Sequence, residues 1–445
     1  MSRKRISRRS FVNHSTRAGL AFSIVPRHVL GRGYRAPSDT LNVACVGVGG
    51  MGWSDVRGMA VENIYALCDV DEKQGEEAFS TYTRAKRYRD FRVMLDRDGD
   101  NIDAVTVTTP DHTHAAIAMR VLGMRKPVYV QKPLTRTLGE VKALVDAARR
   151  AGVATQMGNQ GHAREGTRLI REWVEAGAIG TVREVHFWTN RPIWPQAIDR
   201  PLEDYHVPPW LDWDLWLGPA QERPYHPAYA PFRWRGWWDF GTGALGDMAC
   251  HIMDAAFWAL DLRGPTRIEV EHTPLYRESA PKGSRITYHF PARGNRGPVT
   301  VVWRDGALYP PRPPEVADDA NWPPDDGGGQ LWIGTDGKLV AGTYGDDPRL
   351  LDDKRHQEIT ASPPAPRYPR TDGVYAEWIA ACKGGAAAGS NFVDHAGPLT
   401  EMVLLGNLAV RAGRSLELNP STGDVTNVRI PDEWIRPAYR DGWGL

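Results

Sequence analysis

The segment Leu41–Gly52, "LNVACVGVGGMG", restricts the fold more than any other part of the chain. An apolar run passes directly into Gly47, Gly49 and Gly52, spaced G-x-G-x-x-G. The reason for glycine is steric: a tight turn, close approach of backbone to a pyrophosphate, and close packing of helix on strand. The phosphate then sits at the helix N-terminus, against Gly50 and Met51. By itself the spacing also fits glycine turns of unrelated proteins, so its context decides.

A second apolar segment, "NIYALCD", ends in Asp69, near the place where an acid accepts hydrogen bonds from the ribose hydroxyls of a dinucleotide. The next residue is Val70 rather than Arg or Lys, so a 2′-phosphate would meet a negative charge without a neighbouring cation. NAD is therefore favoured over NADP. A third segment, "DAVTVTTP", leads into "DHTHAA". Strand ends of a doubly wound sheet face the ligand crevice, which makes Thr108, Thr109, Pro110 and His114 expected cofactor contacts. Asp111, His112 and His114 are metal-ligand types, but no second cluster completes a set and no metal is expected.

Short apolar runs followed by helical stretches repeat as far as "VATQMGNQ", the pattern of a parallel sheet with crossover helices. Beyond about Asn159 the character changes. Strand-like segments "RIEVEHT", "SRITYHF" and "VTVVWRD" are separated by turn residues and point to an antiparallel sheet. "LYPPRPPEVADDANWPPDDGGGQ" and "ITASPPAPRYPR" read as surface loops. The expected fold is α/β: a doubly wound parallel domain over 39–158, then a C-terminal α/β domain with a large open, mainly antiparallel sheet over 159–445. Residues 1–38 carry Arg8 and Arg9 within a basic cluster, like a twin-arginine export leader, which implies a periplasmic or exported protein. The uncharged run 18–26 is too short to span a bilayer, which takes about 20 residues.

Lys and Arg total 55 against 54 Asp and Glu, so nothing in the charge balance draws the chain to nucleic acid or an anionic membrane. Four scattered cysteines form neither a zinc spacing nor a disulfide framework. Tryptophan is the outlier, with 17 in the chain. An indole offers an apolar face that suits a sugar ring, and equally suits a core.

Two stretches carry the chemistry. In "VYVQKPLT", Lys132 leaves a strand beside Pro133 and is expected in the crevice, where an amine can bind a substrate hydroxyl or orient a base. In "GALGDMACHIMD", Asp247, His251 and Asp254 fall at i, i+4 and i+7 and would share a helical face. A carboxylate there can hold the imidazole's tautomer for use as a general base; a buried structural pair is the competing reading.

Together, "GVGGMG", "TTPDHTHA", "QKPLT" and "GDMACHIMD" resemble the motifs of the Gfo/Idh/MocA oxidoreductases, the last two standing in for that family's E-K-P and D-x-x-x-H. The resemblance runs from about Leu41 to the C-terminus and is closest to an exported branch. It implies an NAD-binding Rossmann domain, a C-terminal domain that often serves in homo-oligomers, and oxidation or reduction of a sugar or cyclitol carbon. The lysine, aspartate and histidine carry over to Lys132, Asp247 and His251. One departure is Gln131, where the family has glutamate: it keeps the shape but loses the charge. Expected substrate contacts are Asn159, Gln160, His162, Trp194, His206, His226, Arg233, Trp237 and Asp254. The leading activity is an NAD-linked sugar, glycoside or cyclitol oxidoreductase. A glycoside-cleaving enzyme that uses bound NAD transiently is the alternative, and a noncatalytic sugar binder is disfavoured by Lys132, Asp247 and His251 together.

Overall fold

The computed structural model describes residues 39–445, so the leader reading at Arg8 and Arg9 falls outside the described residues. Six short strands, β1 (Asn42–Val46), β2 (Asn63–Cys68), β3 (Lys86–Tyr88), β4 (Ala104–Val107), β5 (Val128–Val130) and β6 (Thr155–Met157), form one parallel sheet in the order 3-2-1-4-5-6. Strands β4, β5 and β6 are buried along their whole length, as apolar strands covered on both faces by crossover helices must be. The switch in strand order between β1 and β4 opens a crevice at the strand exits. Helix α1 (Met51–Gly58) follows β1, α2 (Asp111–Gly123) follows β4, and α3 (Leu138–Ala151) follows β5.

A second sheet has eight strands: β7 (Val182–Thr189), β8 (Arg267–His272), β9 (Ser284–Phe290), β10 (Val299–Arg304), β11 (Gly328–Gly334), β12 (Lys338–Gly342), β13 (Arg349–Leu350) and β14 (Leu416–Glu417). Its order is 13-12-11-7-10-9-8-14, and all neighbours are antiparallel except β7 and β10. Burial alternates along β9, with Ser284, Ile286, Tyr288 and Phe290 facing inward. The inner face packs on α4 (Gly243–Ile252) and α7 (Gly397–Ala412); α5 (Asp254–Leu260) packs on α4, α6 (Val374–Cys382) packs on β6 of the parallel sheet, and α7 also packs on α3. The two sheets thus share one continuous apolar core.

The strands expected at "RIEVEHT", "SRITYHF" and "VTVVWRD" are β8, β9 and β10. The first Pro- and Gly-rich stretch differs from its loop reading at its end, because Gly328–Gln330 already belong to β11. Glycine is required there for packing: a Cβ on Gly329 would lie 2.5 Å from the ring of Trp188. In the second such stretch, residues up to Ala361 close a helix, Asp353–Ala361, capped by the Asp352 carboxylate, which accepts from the Arg355 amide at 3.0 Å. A second correction concerns α4. The helix ends before Met253 and α5 begins at Asp254, so Asp254 leaves the face that carries Asp247 and His251.

Helix α3 is fixed at its start by a reciprocal cap, in which Thr137 Oγ1 accepts from the Glu140 amide and Glu140 Oε2 accepts from the Thr137 amide. Glu140 Oε1 also accepts from the Tyr439 hydroxyl at 2.8 Å, which ties the C-terminal segment to this helix. Thr137→Ala is expected to lower the unfolding free energy by about 1 kcal/mol in urea denaturation while leaving substrate KM unchanged.

Candidate active site

The crevice widens into a cleft of about 610 Å³, walled by the exits of the parallel sheet on one side and by α4 and the connection before it on the other. On one side lie Gly47, Gly49, Gly50, Met51, Asp69, Thr108, Thr109, Pro110 and Gln131. Gly47 has φ +75°, and a Cβ there would meet the Thr108 carbonyl oxygen at 2.5 Å; a Cβ on Gly52 would meet the Gly47 carbonyl oxygen at 2.0 Å. Helix α1 can therefore start tight against the strand exit only with glycine at both positions. A Cβ on Gly50 would meet nothing within 4 Å, so open space lies against the backbone just ahead of the helix N-terminus. An open, glycine-walled helix start with Asp69 in the same cleft fits a dinucleotide pyrophosphate and ribose. Asp69 also supports the loop itself, accepting from the Val48 and Asp71 amides at 2.8 and 2.9 Å. Burial raises its carboxyl to about 6 against the pull of those amides.

Part of this cleft is roofed by the long connection between β7 and α4. The Glu72 amide donates to the Trp210 carbonyl at 3.0 Å, and the Asp212 amide to the Val70 carbonyl at 2.9 Å. Trp216 from the connection and Trp443 from the C-terminal segment add to the lining.

The other wall holds the charged groups. Lys132, at the exit of β5, donates from Nζ to Asp247 Oδ1 and to the Asp247 carbonyl, both at 2.9 Å. Arg235 Nε donates to the same Oδ1 at 3.1 Å, and its guanidinium lies over Trp234 and Phe232 at 4.2 and 4.6 Å from the ring centroids. Burial alone would raise the Asp247 carboxyl, but Lys132 and Arg235 overcome it and hold the group well below the usual carboxylate range. His251 lies one turn further along α4 and also lines the cleft. Burial, reinforced by the Lys132 charge, pushes its imidazole down to about 3, so the ring is neutral at physiological pH. Its Nδ1 has no hydrogen-bond partner among the described residues. Asp247 therefore holds Lys132 and Arg235, and the tautomer of His251 is not set by a direct bond from this carboxylate. Asp111 completes the wall: burial raises its carboxyl to about 7, opposed by the Thr242 hydroxyl, which donates to it at 2.7 Å.

Of the residues expected at the substrate, Gln160 and Trp194 line the cleft. Asn159, His162 and Asp254 are buried away from it and bond to one another: Asp254 Oδ1 accepts from Asn159 Nδ2 at 2.9 Å, and Oδ2 lies 3.0 Å from His162 Nδ1. His395 adds a third donor, with Nε2 at 2.5 Å from Asp254 Oδ1. These separations are direct hydrogen bonds, so the three ligand-type side chains satisfy one another. Trp237 is fully buried in a separate aromatic cluster, its indole donating to the Ala228 carbonyl at 2.8 Å. His226 packs edge-on against Tyr205, while His206 and Arg233 point to solvent. Arg235, two positions on from Arg233, is the arginine that turns inward. His114 does not line the cleft; its ring bridges the Thr109 and Pro133 carbonyls at 2.8 and 2.9 Å, linking the exits of β4 and β5. Gly52 packs beneath the loop, as its role in helix packing requires. Asp111, Arg235 and Tyr344 line the cleft without having been expected there.

The parallel sheet, glycine loop and facing charged wall fit a dinucleotide-binding site, and comparison with known proteins gives the family. Residues 41–159 match "Oxidoreductase family, NAD-binding Rossmann fold" and residues 175–296 match "Oxidoreductase family, C-terminal alpha/beta domain", the two parts of one family. The chain belongs to the Gfo/Idh/MocA oxidoreductases. Levoglucosan dehydrogenase of Pseudarthrobacter phenanthrenivorans is 25% identical over 228 residues, 48% of this chain and 50% of that protein. Inositol 2-dehydrogenase of Salmonella typhimurium is 28% identical over 155 residues, 33% of this chain and 45% of that protein. The chain thus spans about half the length of the curated relatives it matches. Among solved structures, the WlbA dehydrogenase of Bordetella pertussis with NADH and UDP-GlcNAcA superposes with a TM-score of 0.60 at 17% identity, covering 85% of this chain and 99% of that one. A levoglucosan dehydrogenase complex with NADH gives 0.56 at 18% identity, covering 85% and 99%.

The electrostatics of the wall can be checked directly. Lys132→Met removes a cation from beside His251 and is expected to move the imidazole's titration upward, whereas Asp247→Asn removes an anion and moves it downward. Imidazole proton shifts followed by NMR across pH give both signs.

Proposed function

We propose that this protein is an NAD-dependent oxidoreductase acting at a hydroxyl-bearing carbon of a sugar, glycoside or cyclitol. The observation that carries the reading is the opposition, across one cleft, of a glycine-walled helix start and a wall in which Lys132 is fixed by Asp247 beside a neutral His251. Bound NAD supplies the hydride acceptor. His251, neutral and lining the cleft, takes the hydroxyl proton as that bond breaks. Lys132 Nζ donates to the hydroxyl oxygen and stabilises the negative charge that grows there. Asp247 holds the amine through two contacts, and Arg235 is kept in place by its aromatic neighbours. Trp194 and Trp234 supply apolar faces for the C–H face of a ring, and Gln160 adds hydrogen-bonding capacity. The named activities of the relatives, on levoglucosan and on inositol, support the same substrate class.

One observation favours a second reading. The roof formed by Trp210–Asp212 over Val70–Glu72 closes on the loop that follows Asp69, an arrangement suited to a cofactor retained through turnover. With retained NAD, a glycoside could be oxidised, lose its leaving group by elimination, take up water across the new double bond and be reduced again, with no net NADH. Screening free sugars, glycosides and cyclitols for NADH absorbance, alongside aglycone release from nitrophenyl glycosides, separates the two. Net NADH supports the dehydrogenase, and aglycone without NADH supports the cleaving enzyme. In either case His251→Ala is expected to lower kcat about 10²- to 10⁴-fold with NAD binding retained, and unchanged turnover would remove His251 from the mechanism.

Export belongs to the same proposal and is supported by Arg8 and Arg9 in the basic cluster before the uncharged run 18–26. Cell fractionation should find the protein outside the cytoplasm, and Arg8→Lys together with Arg9→Lys should retain it inside.

A further inference from the structure

Gln131 stands where the family's pattern has glutamate, and its side chain lies against a buried carboxylate. Its Nε2 donates to Asp55 at 3.0 and 3.1 Å, while its Oε1 lies 3.3 Å from its neighbour's amide, that of Lys132. Asp55, on α1, is fully buried and accepts two further hydrogen bonds. One comes from Thr108 Oγ1 at 2.6 Å, at the exit of β4, and the other from the Tyr375 hydroxyl at 2.7 Å, on α6. The titratable groups facing the carboxylate are Tyr375, with Tyr129 and Cys45 nearby, and burial raises all three so that they stay neutral. Burial also raises Asp55, to about 6, against the pull of its three donors. The space around the side chain is closed: a Cβ on Gly158 would lie 2.6 Å from the Gln131 amide carbon.

An amide has a donor end and an acceptor end, whereas an ionised glutamate only accepts. Two ionised carboxylates about 3 Å apart cannot persist; such a site keeps one proton. Gln131 and Asp55 are therefore complementary, one amide with one acid. Through Thr108 and Gln131, both of which line the cleft, the acid ties the exits of β4 and β5 to the helix that starts at the glycine loop.

We propose that Asp55 and Gln131 act as one positioning pair for Lys132, an inference that rests on the dehydrogenase reading. The negative charge that the E-K-P pattern places beside the lysine is carried here by buried Asp55, one hydrogen bond away. Gln131 relays its position to the strand exit that bears the amine.

The test is a charge exchange in the full-length protein, with Gln131→Glu, Asp55→Asn and the double variant. It reads NAD-linked turnover and thermal unfolding of the nucleotide-free protein at about pH 5.5 and about pH 8, each relative to the unsubstituted protein. The acid introduced at 131 has a raised pKa in the folded state, so its penalty is absent at low pH and grows as pH rises. Gln131→Glu should lose about tenfold or more in kcat at the higher pH, with a smaller change in KM, and approach parity at the lower pH. Asp55→Asn/Gln131→Glu should recover to within about threefold at both. Melting temperatures should follow the same order. A role confined to filling space gives a pH-independent deficit and no rescue in the double variant, and either result overturns the pair. If Gln131→Glu fails to fold, the double variant decides: folded and active supports the pair, while unfolded, or folded and inactive, overturns it. An unsubstituted protein without NAD-linked turnover on any substrate overturns the dehydrogenase reading instead, and the melting comparison still judges the pair.

Discussion

The ion pair between Lys132 and Asp247 is the interaction on which the two halves of the molecule turn. Lys132 comes from the exit of β5 in the parallel sheet, and Asp247 from α4, which packs under the other sheet. Their side chains are only 15% and 12% exposed, so both charges have lost most of their hydration. A pair at that depth adds little net stability, because desolvation offsets the attraction, but removal of either partner leaves an uncompensated charge. Here the pair is reinforced by a second donor contact to the Asp247 carbonyl and by Arg235. The geometry fixes an amine where the cleft is shared by both halves, a result that apolar packing could not provide.

Other buried polar groups extend the same joint. His162 and Asn159, just beyond β6, meet Asp254 on α5 and His395 at the entry to α7, so that one carboxylate collects three donors from two segments. Burial pushes the His395 imidazole down to about 4, and the hydrogen bonds to the two rings help hold Asp254 well below the usual carboxylate range. The cluster sits directly behind the break between α4 and α5 and holds the end of the helix that presents His251. Residues that look like substrate contacts in the sequence thus serve the site from behind.

The fold was legible because its signals are local: the glycine spacing, the acid at the end of β2 and the repeated strand-helix alternation all depend on residues within one βαβ unit. Lys132, Asp247 and His251 were legible for a similar reason, each lying inside a short motif. What the sequence concealed was direction. Counting i, i+4 and i+7 from Asp247 assumes an unbroken helix, and the break at Met253 turns Asp254 away from the cleft. In "RWRGWWDFG" two arginines two residues apart are equivalent by composition, and only the short helical turn Arg233–Gly236 separates the exposed one from the one that reaches Asp247. The tryptophan excess divides less cleanly: Trp194 lines the cleft, Trp216 and Trp234 line it while packing in the cluster that holds Trp237, and Trp237 and Trp238 only fill core. Nothing in the spacing of indoles tells these apart, because both uses bury an apolar ring.

The buried acids show how charge is distributed across this frame. Asp55, Asp69, Asp111 and Asp305 are satisfied by hydroxyls, amides or an indole, and burial raises each of them. Asp247 and Asp254 are instead held low, the first chiefly by two cations and the second by two imidazoles. A carboxylate held only by neutral donors can be placed wherever the fold needs a fixed acceptor, since a proton can relieve its charge. A carboxylate held by cations keeps its charge and fixes theirs. Of the two low acids, Asp247 alone lines the cleft, so the permanent negative charge and its lysine partner face the space where a hydroxyl proton would move. His251, one turn away, lines the same cleft and makes no direct bond to either carboxylate. The wall therefore separates the two duties that a single aspartate-histidine dyad would combine: Asp247 fixes the amine, and burial keeps the histidine unprotonated without a carboxylate partner.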